Sequence, residues 1–239
     1  MFRAFRFTSP TPGSAPTYLL LHGVGLSHRF YSGLAKQLAR SARVVSFDLP
    51  GFGVSPTPSQ ALTVAQYAAG VAARLPQLAP GAVIVVGHSM GAQVAVELAI
   101  QRPELVEGVV LIGPVVDSDR PTLTEQARAL ARDSPLEPLP TQYAVIFDYI
   151  RCGIPWFLSA SKAMRDYPMQ LSVQRLSQPL LIIRGQHDPV AKAAWCQRLA
   201  AQAAGAVVRT VPRRRHNVAH SDPSATASAI TEFADRTRA

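Results

Sequence analysis

The sequence predicts an α/β fold with a mostly parallel sheet, interrupted by one helical insertion. Short apolar runs typical of buried strands alternate with segments of helical spacing over residues 18–112 and again over 179–237. Between these regions, residues 114–177 contain helical stretches broken by prolines and no clear strand. The length of 239 residues fits one domain that carries such an insertion.

The first half of the chain predicts four strands. Residues 18–22 and 43–47 are short apolar runs, while 82–86 and 106–112 are rich in β-branched side chains. A helical segment follows each of the first three strands, and these predicted helices are 30–40, 64–78 and 90–101. About seventeen residues precede the first clear strand, and no strand is predicted among them.

The alternation resumes after the insertion. Two further strands are predicted at 179–184 and 206–211, each followed by a helix, at 193–203 and 224–237. Inside the insertion, helices are predicted at 124–132 and 143–150.

Charge and composition argue against several classes of protein. The formal net charge is +9, but most arginines are scattered singly and aromatic residues make up only 7%. Because nucleic-acid-binding proteins concentrate charge on one stripe with aromatics for stacking, no nucleic-acid partner is expected. No apolar run approaches the roughly 20 residues that span a bilayer, and residues 1–7 lack the apolar core of a secretory signal. We expect a cytoplasmic protein without a membrane span, with Cys152 and Cys196 as free thiols.

The pattern G-x-S-x-G at Gly87-His88-Ser89-Met90-Gly91 indicates catalysis. It joins the predicted buried strand 82–86 directly to the predicted helix 90–101. A serine between a strand and a helix lies on a tight turn, and glycines flank it where backbone segments come too close for a Cβ. Such a turn exposes the Ser89 hydroxyl at the edge of the sheet, which is the position of a nucleophile.

A serine nucleophile needs a base and an acid that orients the base. Ligands of open α/β sheets bind beyond the carboxyl ends of the strands. Asp188 follows strand 179–184, and His216 follows strand 206–211, so both are predicted at this edge. His220 is a rival for the base, and Asp117 and Asp119 are rivals for the acid.

Four segments resemble the α/β-hydrolase superfamily, in particular its compact bacterial esterases and lactonases. They are the His-Gly loop at 20–25, the D-x-x-G-x-G-x-S loop at 48–55, the 87–91 turn, and Gly185-Gln186-His187-Asp188 with His216 and Asp222-Pro223. The resemblance implies an α/β-hydrolase fold with about seven to eight strands. It divides the chain into a core at 1–113 and 178–239 and a small helical cap at 114–177. The order Ser, Asp, His along the chain is the one this superfamily uses.

The resemblance also implies the roles of the site residues. Ser89 attacks an acyl carbon, His216 takes and returns the proton, and Asp188 orients the imidazole. The backbone N–H groups of Met90 and Val24 form the oxyanion hole. No metal or organic cofactor is implied.

The expected reaction is hydrolysis of a carboxylester, lactone or thioester of a small to medium hydrophobic substrate through an acyl-enzyme. Leu26, Phe147 and Trp156 are expected to line the substrate pocket. Alternatives are a pathway-specific C–C bond hydrolase, a biosynthetic thioesterase or cyclase, or a non-catalytic binding module on the same fold. The partner is expected to be a small molecule, and the protein a monomer or homodimer.

The run Arg213-Arg214-Arg215 precedes the predicted catalytic histidine. Positive charge there is expected to disfavour the imidazolium form of His216. The same charge could draw anionic substrates to the site. The alternative is a solvated surface loop.

Overall fold

The computed structural model describes residues 3–8, 15–119 and 122–239, with nothing stated for the Thr8 side chain. Seven strands form one sheet in the order β1-β3-β2-β4-β5-β6-β7. Their bounds are β1 Arg3–Thr8, β2 Thr17–Leu21, β3 Arg43–Asp48, β4 Val83–His88, β5 Val106–Ile112, β6 Leu180–Gly185 and β7 Val207–Val211. All neighbouring pairs are parallel except β1 with β3. The predicted mostly parallel sheet is confirmed.

Strand β1 is the part of the sheet that the sequence reading missed. It pairs antiparallel with β3 in the register Arg3 with Asp48 and Phe7 with Val44. Its six residues lie at the sheet edge and are half-buried or exposed where their burial is described, so they lack the continuous apolar run of β2 or β4. A short strand in which arginines interrupt the apolar residues is a weaker signal than a fully buried strand.

Ten α-helices are found in the described residues. They are α1 Ser32–Leu38, α2 Val64–Arg74, α3 Met90–Gln101, α4 Leu123–Asp133, α5 Leu139–Cys152, α6 Ile154–Asp166, α7 Met169–Val173, α8 Ala193–Ala200, α9 Val218–Ser221 and α10 Pro223–Arg238. Short 3-10 turns occupy His28–Tyr31, Leu75–Gln77, Pro103–Leu105 and Ser134–Leu136.

The sheet separates two apolar layers. Alternate residues of a strand point to opposite faces, so Val85 of β4 faces one layer while Ile84 and Val86 face the other. Helices α2, α3 and α8 cover the first layer. Helices α1 and α10 cover the second and contact each other. This arrangement leaves the carboxyl ends of the parallel strands at one edge, where the loops meet.

Residues 114–177, which we call the insertion segment, lie between β5 and β6 and contain α4, α5, α6 and α7. Three of the prolines lie at helix starts: Pro138 precedes α5, Pro155 lies in the first turn of α6, and Pro168 precedes α7. These are positions where the missing N–H and the fixed φ of proline fit a helix. Among the described residues, the structure contains no helix long and apolar enough to cross a membrane.

Candidate active site

Ser89 occupies a sharp turn between β4 and α3. Its φ of 53° and ψ of −119° are rare for a residue with a side chain. The Ser89 N–H donates to the carbonyl of Ile112, the last residue of β5, at 2.9 Å. Ser89 is 7% exposed. The turn is thus fixed to the neighbouring strand while the side chain faces the carboxyl edge of the sheet.

The two glycines of the turn are required by close backbone contacts. A Cβ at Gly87 would lie 2.1 Å from the Gly91 carbonyl oxygen, and one at Gly91 would lie 2.0 Å from the Leu21 carbonyl oxygen. Both atoms belong to the backbone and cannot move aside as a flexible side chain could. The G-x-S-x-G spacing therefore follows from packing α3 against β2 and β4.

His216 and Asp188 form a buried hydrogen-bonded pair. The His216 Nδ1 lies 3.0 Å from Asp188 Oδ2, and the two residues are 2% and 3% exposed. The other Asp188 oxygen accepts hydrogen bonds from the N–H groups of Val190 and Ala191 at 2.8 and 2.9 Å. With both oxygens accepting, Asp188 is held as a carboxylate and the His216 proton is placed on Nδ1, so Nε2 is available as a base.

The His216 ring lies beside the Ser89 turn. A Cβ at Gly113, which directly follows β5, would lie 3.0 Å from His216 Cε1 and Nδ1. His88, the neighbour of Ser89, has its ring centroid 4.9 Å from that of His216. The structure thus brings Ser89, Asp188 and His216 to one edge of the sheet. Among the described residues, the Ser89 hydroxyl makes no hydrogen bond, and such bonds commonly tighten only when substrate is present.

The charges around the pair shift the pKa of both groups. Burial alone would raise the pKa of Asp188, but the charge of His216 and three hydrogen bonds bring it below its ordinary value. Burial opposes charge on His216, yet Asp188, followed by Asp133 and Glu137, raises the pKa of His216 above 6.5. The site therefore favours the imidazolium that forms when a base takes a proton.

This direction corrects one expectation from the sequence. The arginine run was expected to disfavour the imidazolium of His216. The nearby carboxylates instead raise the pKa of His216 and favour the imidazolium. Arg215 is paired with the buried Asp133 at 3.1 Å, and Arg214 with Asp222 at 3.0 Å. Two of the three arginines are thus neutralised by partners.

The rival residues have other partners. Asp117 and Asp119 both pair with Arg198, at 2.6 and 2.9 Å. The Nδ1 of His220 lies 2.9 Å from the hydroxyl of Thr141. The acid whose carboxylate contacts the His216 imidazole is Asp188.

The predicted oxyanion donors lie on either side of Ser89. Met90 is the first residue of α3, so its N–H is free of the helical hydrogen-bond ladder. A Cβ at Gly23 would lie 3.0 Å from the Ser89 Cβ, which places the 23–24 peptide against the nucleophile. These contacts are the geometric basis for the predicted roles of Met90 and Val24.

His22 fixes the orientation of that peptide. The Leu49 N–H donates to His22 Nε2 at 3.0 Å, so Nδ1 carries the proton and donates to the Gly23 carbonyl at 2.8 Å. Burial lowers the pKa of His22, which keeps the ring neutral. Because N–H and C=O point in opposite directions in a trans peptide, anchoring the Gly23 carbonyl turns the Val24 N–H the other way.

His88 supports the site as a neutral side chain. Its Nε2 lies 3.2 Å from the His216 carbonyl oxygen, and its ring stacks on Phe30. Burial lowers the pKa of His88 to about 3. A ring that stays neutral at ordinary pH can donate to the His216 carbonyl without adding charge next to the base.

Two carboxylates of the insertion segment contact the His216 loop, and the sequence reading missed both. Asp133, at the end of α4, accepts the His216 N–H at 3.2 Å, and Glu137 accepts the Asn217 N–H at 2.8 Å. Both side chains are buried, and burial raises the pKa of each. In the sequence, Asp133, Glu137 and Thr141 are spaced four residues apart. This spacing does not indicate which loop of the protein they contact.

The three predicted pocket residues have different surroundings. Leu26 is buried in the same apolar cluster as Phe30 and Val145. Trp156 is buried, packs on Gly51, and donates its indole N–H to the Pro50 carbonyl at 3.2 Å. Phe147 is about half exposed on the outer side of α5, so the structure does not bring it to the site. A pocket role for Leu26 and Trp156 stays a prediction.

A cavity of about 250 Å³ opens between α5 and the His216 loop. Its lining includes Glu137, Thr141, Val145, Tyr149 and Asn217. Asn217 is the residue after His216, and Tyr149 packs on Gly25 of the predicted oxyanion loop. The cavity therefore adjoins both sides of the candidate site.

Metal-binding and thiol groups take no part in this arrangement. Within the described ranges, no cluster of three or more His, Cys, Asp or Glu is placed to hold a metal ion. Cys152 and Cys196 are free thiols. Burial raises the pKa of Cys152 to about 11 and that of Cys196 to about 12, which keeps both protonated.

Known proteins of one family are similar to this chain. The model of the alpha/beta hydrolase family matches residues 18–229. Pimeloyl-[acyl-carrier protein] methyl ester esterase from Nitrosomonas europaea is 30% identical over 79% of this chain and 84% of that protein. The 2-(acetamidomethylene)succinate hydrolase of Mesorhizobium japonicum is 28% identical over 93% of this chain and 89% of that protein.

Other relatives are longer than this chain. An uncharacterised protein of Mycobacterium bovis is 39% identical over 46% of the chain, and the match spans 31% of its length. Among solved structures, the enol-lactonase from Burkholderia xenovorans superposes with a TM-score of 0.83 at 20% identity, covering 98% of this chain and 96% of that one. This likeness shows a shared fold.

Proposed function

The chain belongs to the alpha/beta hydrolase family, and we propose that it is a serine hydrolase of carboxylic esters, including lactones or thioesters. The proposed substrate is small to medium in size and hydrophobic, and the proposed route runs through an acyl-enzyme on Ser89. The observation that carries the proposal is the buried pair of His216 and Asp188, 3.0 Å apart, next to the strained Ser89 turn. The relatedness to an esterase at 30% identity supports the same reaction class.

In the proposed first half-reaction, the Ser89 oxygen attacks the acyl carbon and its proton passes to His216 Nε2. Asp188 keeps the opposite nitrogen protonated and stabilises the imidazolium as it forms. The raised pKa of His216 favours this transfer. The proton then goes from Nε2 to the leaving oxygen or sulfur, and the ester bond breaks.

The negative charge that develops on the acyl oxygen is stabilised by the N–H groups of Met90 and Val24. Donors fixed before the reaction lower the barrier because they need no reorganisation. In the second half-reaction, water gives its proton to His216 and attacks the acyl-enzyme. Ser89 then leaves with that proton and the carboxylic acid is released.

The test is turnover by Ser89→Ala against a panel of p-nitrophenyl acetate and butyrate. Loss of the nucleophile should lower kcat by about 10⁴-fold or more, while KM changes little. A fluorophosphonate should label the wild-type protein, and mass spectrometry should find the adduct on Ser89. Full turnover by Ser89→Ala would exclude the serine mechanism.

A second candidate is a pathway-specific hydrolase, such as a C–C bond hydrolase or a biosynthetic thioesterase or cyclase. It is favoured by the 28% identity to 2-(acetamidomethylene)succinate hydrolase over nearly the full chain. Labelling of Ser89 without turnover of any simple ester would support this candidate. A folded protein that fluorophosphonate does not label would instead support a non-catalytic binding module.

A further inference from the structure

The outer face of α5 and α6 is apolar although it faces solvent. Of the ten large apolar side chains that are exposed among the described residues, eight lie between 136 and 158. We call these eight the outer stripe: Leu136, Leu139, Tyr143, Ile146, Phe147, Ile150, Ile154 and Leu158. Four of them, Tyr143, Ile146, Phe147 and Ile150, line one surface cavity. An exposed apolar patch marks an interaction site, whereas single exposed apolar residues do not.

The spacing of the outer stripe follows the helix. Leu139, Tyr143, Ile146 and Ile150 lie on one side of α5, four, three and four residues apart. The opposite side of α5 packs against the rest of the protein. Val145 packs in the core, and the buried Asp148 accepts a hydrogen bond from the Ser27 hydroxyl at 2.6 Å. Packing of α5 onto the core therefore does not require the outward residues to be apolar.

The exposed charges along α5 and α6 are three cations and one carboxylate, Asp166, which pairs with Arg165. Between residues 134 and 165, the two carboxylates, Glu137 and Asp148, are both buried. The exposed charged residues of that range are Arg151, Lys162 and Arg165. The guanidinium groups of Arg29 and Arg151 each lie 5.6 Å from the centre of the Phe147 ring. Around Phe147 the stripe thus combines apolar side chains with two cations, and the carboxylate at the end of α6, Asp166, is paired with Arg165.

We propose that the outer stripe docks on a membrane surface that contains anionic lipid. A helix lying in the plane of the interface buries its apolar face at the boundary of the acyl chains, and neighbouring Arg and Lys side chains contact anionic headgroups. Helix α5 has 14 residues, and its apolar side from Leu139 to Ile150 presents a length of about 17 Å to such a surface. The net charge of +9 adds a long-range attraction of the same sign.

The charge pattern disfavours a second copy of the chain as the occupant. A symmetric pair would bring the same patch of both copies together, and Arg29 and Arg151 would then face their own counterparts. The one exposed carboxylate of α5 and α6, Asp166, is already paired with Arg165, and Asp148 is buried. Anionic lipid headgroups would instead pair with the guanidinium groups of Arg29 and Arg151.

The proposal is tested by flotation of the full chain with vesicles. One set contains phosphatidylcholine alone, and the other contains equal parts of phosphatidylcholine and phosphatidylglycerol. The wild-type protein should float with the anionic vesicles, and high salt should weaken binding. Binding to phosphatidylcholine alone should be weaker, because the apolar contribution then acts without charge.

Two variants locate the surface. Ile150→Glu/Ile154→Glu changes the two most exposed residues of the stripe, each 76% exposed. It should weaken vesicle binding by about tenfold or more, because burial of both side chains is lost. Leu171→Glu is the matched control, since Leu171 is 63% exposed but lies on α7 outside the stripe. It should bind vesicles as the wild type does, and circular dichroism should show that both proteins are folded.

Three results would overturn the proposal. The first is a wild-type protein that does not float with anionic vesicles. The second is equal binding by Ile150→Glu/Ile154→Glu and Leu171→Glu. The third is a dimer in sedimentation velocity that this double variant dissociates, which would assign the stripe to a second copy. Because flotation needs no turnover, its outcome is independent of the proposed esterase activity.

Discussion

At the scale of single residues, the Ser89 turn depends on glycines whose replacement cannot be absorbed by side-chain movement. A methyl group at Gly91 meets the carbonyl oxygen of Leu21 on β2, a central strand. Relief would require α3 to move away from the sheet. The same contact holds the N-terminus of α3, and with it the Met90 N–H, next to the nucleophile.

Gly91→Ala should therefore lower the free energy of unfolding by roughly 3 kcal/mol or more. Gly81→Ala is the matched control, because a Cβ at Gly81 meets nothing within 4 Å although its φ is +75°. The positive φ alone should cost roughly 1–2 kcal/mol. Urea unfolding of both variants measures the difference, and equal stabilities would contradict the steric explanation.

Individual site residues could be predicted from the sequence when a strand end places them. The Ser89 turn and the positions of Asp188 and His216 follow from a short apolar run and the loop after it. Asp133 and Glu137 could not be predicted in this way. They reach the His216 loop from about eighty residues away in sequence, and only the packing of α4 and α5 onto the core decides which loop they meet.

At the scale of elements, helix α4 and the turn before α5 contribute charge to the candidate site. Asp133 accepts the His216 N–H and the Arg215 guanidinium, and it raises the pKa of the imidazole. A general base acts in its neutral form, so kcat/KM should rise with pH through the pKa of His216. The acid limb of the wild-type profile should thus lie above 6.5.

Asp133→Asn should move that acid limb to lower pH by about half a unit or more, because one negative charge near the imidazolium is removed. The matched control is Asp166→Asn, since Asp166 is exposed on α6 and pairs with Arg165. Its profile should coincide with that of the wild type. Profiles of kcat/KM for p-nitrophenyl acetate measure the shift, and a loss of stability without a shift would indicate a structural role alone.

Strong periodicity made most elements predictable. The buried strands β2, β4, β5 and β6 and helix α3 were expected nearly at their observed bounds. Strand β1 was not predicted, because an edge strand with one solvated side has a weak apolar pattern in the sequence. In the insertion segment, α6 was missed because a proline such as Pro155 indicates a break in a helix. In the structure Pro155 lies in the first turn of α6, where proline is tolerated.

At the scale of the whole molecule, the surface and the site differ in charge. The chain carries a net charge of +9, while the carboxylates nearest the candidate site, Asp133, Glu137 and Asp188, are buried. Distant substrates therefore meet a positive field, and bound substrates meet fixed negative groups. The positive field affects the rate at which substrate and protein meet, and salt screens it. Salt screens the buried carboxylates much less.

The ratio of kcat/KM for an anionic ester to that for a neutral ester should fall about two- to tenfold as ionic strength rises to about 0.15 M. Steady-state rates with p-nitrophenyl acetate and a p-nitrophenyl ester of a dicarboxylic acid measure this ratio. Arg213→Gln should reduce the salt dependence if the exposed end of the arginine run contributes. Identical salt dependence of the two esters would exclude electrostatic attraction of substrate.

The insertion segment leaves the sheet after β5 and returns before β6, and these two strands are neighbours. Because the two strands are parallel, the segment starts at the carboxyl end of β5 and finishes at the amino end of β6, on opposite edges of the sheet. An exchange of the segment by grafting would therefore have to preserve this crossover. Such an exchange would not be neutral for the catalytic half of the molecule. A transplanted segment without acceptors in the positions of Asp133 and Glu137 would leave the N–H groups of His216 and Asn217 unpaired. A successful chimera would have to inherit those two carboxylates along with any new specificity.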